Sequence, residues 1–183
     1  MRGKTNKFLG ILLALAMLLT SVLPSFAALA EGSATVALVS SATAALKPGD
    51  TFTVTPTIAN NPGFAGATWK LEYDNTALEL TQITADGRKA DHLLGYGTFV
   101  SNLEYGKNNL VYANATLETE NGALCELTFK VRENAAAGDY TVNVAKTDPD
   151  FKFVALNSVN VPVDFTPATV TVGGAQSKYA NAY

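Results

Sequence analysis

The residue types that most often carry out catalysis are scarce in this chain of 183 residues. It has one histidine, His92, and one cysteine, Cys125. A serine or cysteine nucleophile normally needs a histidine base nearby, and no nucleophile-elbow pattern occurs in the sequence. One histidine and one cysteine are too few for a typical zinc site. We therefore predict no catalytic residue, no protein-bound metal and no cofactor, and we expect His92 to be an exposed, inert loop residue.

Paired carboxylates are the remaining enzymatic option, because a glycosidase needs an acid and a nucleophile or base across one cleft. The acidic residues fall at turns, as Asp74 does, or at outward strand positions, as Glu72 and Glu126 do. Contact with water is sufficient to explain acidic side chains at turns and at outward strand positions, without a catalytic role. Asp148 and Asp150 could offer oxygens to calcium, but their segment lacks the alternating donors and glycine of a calcium loop. A hydrolase and a calcium site stay open as alternatives.

The elements that would position these residues are strands, because apolar and polar residues alternate from Thr35 onward. The clearest stretch is 51–58, where four threonines alternate with Phe52, Val54, Pro56 and Ile58. Pro56 cannot donate to a ladder, so we expect it at a sheet edge or a bulge. No helical stripe occurs, although 85–94 could hold one helical turn. The strands are predicted at 35–39, 51–58, 65–73, 77–83, 98–105, 109–116, 123–131, 140–145 and 158–172, the last broken at Pro162 or Pro167.

Nine short strands separated by turns predict an all-β fold. The expected architecture is a nine-stranded antiparallel jelly-roll sandwich or flattened barrel. Alternation in 65–73 points Trp69, Leu71 and Tyr73 into the core and leaves the residues between them outside. The same alternation in 123–131 makes Cys125 a buried core residue rather than a reactive thiol.

The first 30 residues have the order typical of a secretory signal peptide, with three basic residues ahead of an apolar run over 8–19. Small residues allow cleavage before Ala28 or before Glu31, and we expect the second. The run is shorter than the ~20 residues that span a bilayer, which disfavours an uncleaved anchor. The predicted organisation is a signal peptide at 1–30, one domain at 31–172 and a flexible tail at 173–183.

Removal of the signal takes three of the 13 basic residues and leaves ten against 16 acidic ones, a net charge of −6. Nucleic acids and anionic membranes attract clusters of lysine and arginine, and the domain has none. This composition predicts a secreted, extracellular protein with no nucleic-acid partner and no membrane contact after cleavage. Attachment to a cell surface would require a partner.

Four segments resemble, in order and spacing, the cohesin domain of cellulosomal scaffoldins. They are Lys47-Pro48-Gly49-Asp50-Thr51, Ala65-Gly66-Ala67 leading into 71–80, 122–131, and 136–142. The resemblance covers roughly 35–172 and implies a nine-stranded flattened barrel or jelly roll. It also implies a role, since cohesins bind dockerin modules. Dockerins are small, calcium-loaded helical pairs that tether polysaccharide-degrading enzymes, so the calcium is expected on the dockerin side.

The resemblance implies a partner-binding sheet face, and one departure from the family bears on it. Gly66 and Thr68 stand where the best-known cohesin subgroup carries Asn and Asp that hydrogen-bond the dockerin. The dockerin class recognised here should therefore differ from that subgroup's. We expect the face to use seven residues: Thr68, Lys70, Glu72, Asn102, Glu104, Ala113 and Thr116.

A second reading is a carbohydrate-binding module on the same sandwich architecture, with polysaccharide as the partner. Such modules bind through exposed coplanar aromatic side chains. The only tryptophan, Trp69, has the inward register, while Tyr96 and Tyr105 lie near loops and could form a small platform at most. The aromatic residues therefore favour protein binding over polysaccharide binding.

Overall fold

Alternating apolar and polar residues build two sheets of short strands in this protein. The computed structural model describes residues 33–88 and 90–174. The predicted signal peptide lies outside the described residues, as does the predicted tail beyond Gly174. Within the described ranges there are twelve strands: β1 (Ala34–Ser40), β2 (Thr51–Ala59), β3 (Phe64–Tyr73), β4 (Leu78–Thr84), β5 (Thr98–Ser101), β6 (Asn109–Glu118), β7 (Gly122–Ala123), β8 (Glu126–Val131), β9 (Gly138–Val144), β10 (Lys152–Val154), β11 (Val163–Thr166) and β12 (Ala168–Val172).

The two sheets form a sandwich, which confirms the predicted all-β architecture. The first sheet has the order β11-β1-β2-β8-β4, with β7 also paired to β2. The second has the order β12-β9-β3-β6-β5, with β10 also paired to β3. Strand pairing is antiparallel except between β1 and β11, which run parallel. This parallel pair is a departure from the wholly antiparallel sandwich that we predicted.

The strand number differs from the predicted nine for local reasons. The predicted strand 123–131 divides into β7 and β8, and 158–172 yields β11 and β12 on either side of Pro167. Proline lacks the N–H that a ladder needs, so the second break follows from chemistry. β10 was not predicted, because three residues are too few to show an alternation.

Pro56 lies in β2 opposite the interruption between β7 and β8. Val54 pairs with Leu127 of β8, and Thr57 pairs with Ala123 of β7. The Pro56 carbonyl still accepts a hydrogen bond from the Leu124 N–H at 2.8 Å. The missing proline N–H therefore faces an irregularity of the sheet, as predicted.

The core between the sheets is rich in aromatic side chains. Trp69, Leu71 and Tyr73 are buried, which confirms the predicted sidedness of β3. The Trp69 ring lies 5.2 Å from Phe153 and 5.7 Å from Phe165, measured between ring centroids. Phe153 lies on β10, which pairs with β3 in the same sheet. This short strand therefore adds a large aromatic side chain to the core. Cys125 is also buried.

The segment between β4 and β5 covers one side of the core and corrects the expectation for His92. A 3-10 turn at Leu93–Tyr96 buries Leu93 and Leu94. His92 is buried with them, and its Nδ1 accepts a hydrogen bond from the Asp86 N–H at 3.2 Å. His92 is therefore not the exposed loop residue that we expected, because the two leucines beside it carry it inward. Residues 33–88 and 90–174 include no helix with the length and apolar character of a membrane span.

Candidate partner-binding face

The outer face of the second sheet is centred on β3. Thr68, Lys70 and Glu72 alternate with the buried residues of this strand and point away from the core, as predicted. β6 pairs with β3 on one side over Gly66 to Lys70. On the other side, β10 pairs with Gly66 to Thr68 and β9 pairs with Leu71 to Tyr73. Because β5 pairs with β6 in turn, the face around Thr68 is four strands wide, in the order β10, β3, β6 and β5.

Side chains from these four strands form two adjacent rows. Val100 of β5 pairs with Val111 of β6, which pairs with Thr68. In the next row Ala113 of β6 pairs with Gly66, and Gly66 pairs with Val154 of β10. We call six of these residues the central face: Gly66, Thr68, Val100, Val111, Ala113 and Val154.

The central face is uncharged and largely apolar although it is open to solvent. Val100 is 60% exposed and Val111 is 40% exposed. Burial of these adjoining apolar side chains by a partner would be favourable, because it removes their surface from water. This arrangement is suited to a partner that covers it.

Gly66 is covered by its neighbour on β10. A methyl group built at Gly66 would come within 3.0 Å of Val154 Cγ2, closer than such atoms ordinarily approach. Val154 therefore occupies the space that a side chain at position 66 would fill. A polar side chain at Gly66, as in the subgroup considered above, would have to displace this valine.

Lys70 is engaged within the protein. Its Nζ donates a hydrogen bond to Asp148 Oδ2 at 2.6 Å, and the two charges form an ion pair. Hydrogen bonding to Lys70, reinforced by the Asp150 N–H, holds the pKa of Asp148 below its usual value. One carboxylate oxygen of Asp148 is therefore bonded to Lys70, which weakens the alternative that Asp148 binds calcium. The Lys70 charge is thus not free to pair with a partner.

Other charges stand at the margins of the face. Lys152 is exposed beside Thr68, and Glu72 is exposed one row beyond Lys70. In the described part of the chain neither forms an ion pair. The half of the sheet built from β9 and β12 is different in character, since its outward residues are polar: Thr141, Asn143, Thr169 and Thr171.

The remaining predicted site residues are brought together only in part. Ala113 lies within the central face. Asn102 follows β5 and accepts a hydrogen bond from the Glu104 N–H, while Glu104 pairs with Lys107 at 2.8 Å in the turn before β6. Both therefore lie at the end of the face. Thr116 is exposed on β6 in the stretch where the ladder to β3 is interrupted, away from the two rows.

Sequence reasoning missed three apolar members of the central face. Val100 and Val111 follow the outward alternation of their strands, so alternation could have identified them. The expectation of a face made of small and polar side chains does not include them. Val154 gave no usable signal, since β10 is too short to predict.

Catalytic chemistry has no evident location among the described residues. His92 and Cys125 are both buried, and burial raises the pKa of the Cys125 thiol. Across 33–88 and 90–174, no group of three or more His, Cys, Asp or Glu is placed to hold a metal ion. These residues give no support to the hydrolase alternative.

Tyr105, one of the two tyrosines considered for a sugar-binding platform, is not coplanar with its aromatic neighbour. Tyr105 lines a cleft of about 440 Å³ with Tyr73, Glu79 and Arg132. The rings of Tyr105 and Tyr73 meet edge to face at 5.0 Å and an interplanar angle of 75°. Trp69 is buried. Coplanar stacking on a sugar chain is therefore not favoured.

Comparison with known proteins identifies the family. The cohesin domain profile matches residues 36–172. A comparison with curated protein sequences gave no match.

Solved cohesin structures share the fold at low sequence identity. The seventh ScaB type I cohesin from Pseudobacteroides cellulosolvens is 24% identical with a TM-score of 0.60, covering 82% of this chain and 99% of that one. A non-cellulosomal cohesin from the archaeon Archaeoglobus fulgidus is 16% identical with a TM-score of 0.61, covering 78% and 92%.

A third similar structure is the Coh-OlpA–Doc918 complex from Clostridium thermocellum, a type I cohesin–dockerin complex. It is 13% identical with a TM-score of 0.59, covering 78% of this chain and 100% of that one. The fold and the family profile agree. This chain belongs to the cohesin domain family.

Proposed function

We propose that this protein is a secreted, non-catalytic module that binds a dockerin of a polysaccharide-degrading enzyme in a cellulosome-like assembly. Cohesin domains are binding modules rather than enzymes. Solved relatives of the same fold have been captured with dockerins, including Doc918 and Doc435. The proposed partner of this chain follows from that family membership.

The observation that carries the proposal is the central face. Val100 and Val111 are directly paired and exposed, Ala113 beside them has only a methyl side chain, and Lys152 is the charged side chain that borders them. Small residues let a helix lie close to a sheet, so that main-chain and side-chain atoms of the helix reach the strands. Dockerins present helices, and the central face has the shape and chemistry to accept one.

The test is calorimetric titration of the purified protein with a panel of calcium-loaded dockerin modules that includes Doc918 and Doc435. We expect binding to at least one member. Addition of a chelator should abolish that binding while leaving the melting temperature of this protein unchanged, because the calcium is proposed to belong to the dockerin. Binding that survives the chelator, or no binding to any member, would contradict the proposal.

A matched pair of variants locates the binding face. Ala113→Arg places a long charged side chain on the central face, while Ala37→Arg places it at an exposed position of β1 on the opposite sheet. Ala113→Arg should weaken binding at least tenfold, about 1.4 kcal/mol, and Ala37→Arg should leave the dissociation constant unchanged. Equal effects of the two variants would move the site away from the second sheet.

A further inference from the structure

Given the proposed dockerin binding, we infer that the central face selects a contact helix with aliphatic side chains along one side. A helix that presents hydroxyl, amide or charged side chains at the same positions would be rejected. The specificity-determining pair is Val100 and Val111, which are direct cross-strand neighbours.

The first argument is the contrast between the outer faces of the two sheets. On the first sheet, equivalent paired positions carry polar residues, such as Thr53 opposite Thr128 and Thr51 opposite Lys130. On the second sheet the paired positions carry Val100 and Val111. Both faces belong to the same domain, so the apolar pair is a local property of the second sheet. The valine pair offers a partner apolar contact area but no side-chain hydrogen bond.

The second argument is the lack of side-chain groups that could recognise a polar helix. Gly66 has no side chain and Val154 covers it. Lys70 is held by Asp148 at 2.6 Å. Within the central face only Thr68 carries a side-chain hydroxyl, and Thr98, opposite Ala113, adds a second at its border. A helix with polar contact residues would lose water there and gain few partners, which is unfavourable.

The margins of the face refine the expected partner. Lys152 pairs with Thr68 across the β3–β10 ladder and borders the apolar rows. A charge at the rim of an interface mainly alters the rate of association and its salt dependence, and contributes little to affinity. Substitution of Lys152 should therefore have a smaller effect on the dissociation constant than substitution of the valines.

The experiment uses one dockerin that binds in the panel, prepared in two forms. In one form the solvent-exposed residues of the contact helix are leucine or valine, and in the other they are serine. The aliphatic form should bind at least tenfold more tightly. Its dissociation constant should change less than about twofold between low and high salt, because screening acts on charges and not on apolar contacts.

The matched variants are Val100→Thr with Val111→Thr on this protein, against the control Val39→Thr. Threonine keeps the shape of valine and suits a strand, so the fold should be retained. Val39 is 52% exposed on the opposite sheet. The double variant should weaken the aliphatic form at least tenfold and leave the serine form nearly unaffected, while Val39→Thr changes neither. Lys152→Gln should change binding less than threefold.

The outcomes separate the two proposals. Equal affinity for the two dockerin forms, or an unchanged constant for the double variant, overturns the inference while dockerin binding itself stands. A steep loss of affinity with salt also overturns it, since recognition would then depend on charge. No binding to any dockerin overturns both proposals.

Discussion

Trp69 shows how one side chain on β3 connects the core to the partner-binding face. It is 2% exposed and packs against Phe153 and Phe165, while its neighbours Thr68 and Lys70 face outward. Within the described structure its Nε1 is buried without a hydrogen-bond partner. The indole therefore stabilises the fold through packing alone and carries an unsatisfied polar atom.

Trp69→Ala should lower the free energy of unfolding by about 3 to 5 kcal/mol, because a large buried side chain is lost and a cavity remains. Trp69→Phe should cost less than half as much, since it keeps an aromatic ring and removes the unpaired N–H. Urea unfolding monitored by circular dichroism measures both. Similar losses for the two variants would contradict this account of the indole.

The Lys70–Asp148 ion pair gives the stability a defined dependence on pH. The pKa of Asp148 is lower in the folded protein than its ordinary value of 3.8, so folding favours the ionised carboxylate. The stabilisation is present above that value and is lost as the pH falls through the lowered pKa of the folded state.

Lys70→Met keeps the aliphatic stem and removes the charge. We expect it to destabilise the protein at pH 7 and to do so progressively less as the pH falls from about 5 toward 2. The control is Lys107→Met, which removes the exposed pair with Glu104 and should change stability by less than about 0.5 kcal/mol throughout. A Lys70→Met effect that is constant with pH would show that the ion pair is not its origin.

At the scale of elements, the segment between β4 and β5 depends on a close backbone approach. A Cβ atom at Gly95 would overlap the Gly87 backbone nitrogen and come within 2.8 Å of the Asp86 carbonyl carbon. Relief requires movement of the segment that buries His92 and Leu94. Glycine is needed here for space, not for an unusual backbone angle.

Gly95→Ala should therefore lower the free energy of unfolding by at least about 1 kcal/mol through overpacking. Gly138→Ala is the matched control, because a Cβ at the start of β9 meets nothing within 4 Å. It should be neutral or stabilising by up to about 1 kcal/mol. Equal unfolding midpoints for the two variants in urea would contradict the close approach.

At the scale of the whole molecule, the proposed docking function would place this protein and its partner outside the cell. We propose export through the basic and apolar segment at the N-terminus. The secreted protein should begin at Glu31 or at Ala28, and N-terminal sequencing would distinguish the two. Recovery of the chain with Met1 retained in a membrane fraction would contradict export.

The net charge of −6 expected after cleavage also acts at this scale. Such a charge keeps a protein soluble and discourages contact with nucleic acids and anionic lipids. It does not select a partner on the central face, where the described side chains are uncharged. Recognition there depends on the shape and apolar character of a few paired strands.

The sequence by itself determined the all-β class, the inward register of Trp69 and the resemblance to cohesins. These follow from alternation with a period of two and from short turn motifs, which are local properties. The outward placement of Thr68, Lys70 and Glu72 was predictable for the same reason.

Only the tertiary structure decided what surrounds those residues. Lys70 and Asp148 are 78 residues apart, and the ion pair between them depends on how the loop after β9 folds back over β3. Val154 reaches Gly66 through β10, a strand too short to show a pattern, and Val100 meets Val111 only once β5 and β6 pair. Alternation assigns each residue to a face, but the neighbours on that face come from distant strands, and their pairing decides whether a side chain is free to bind.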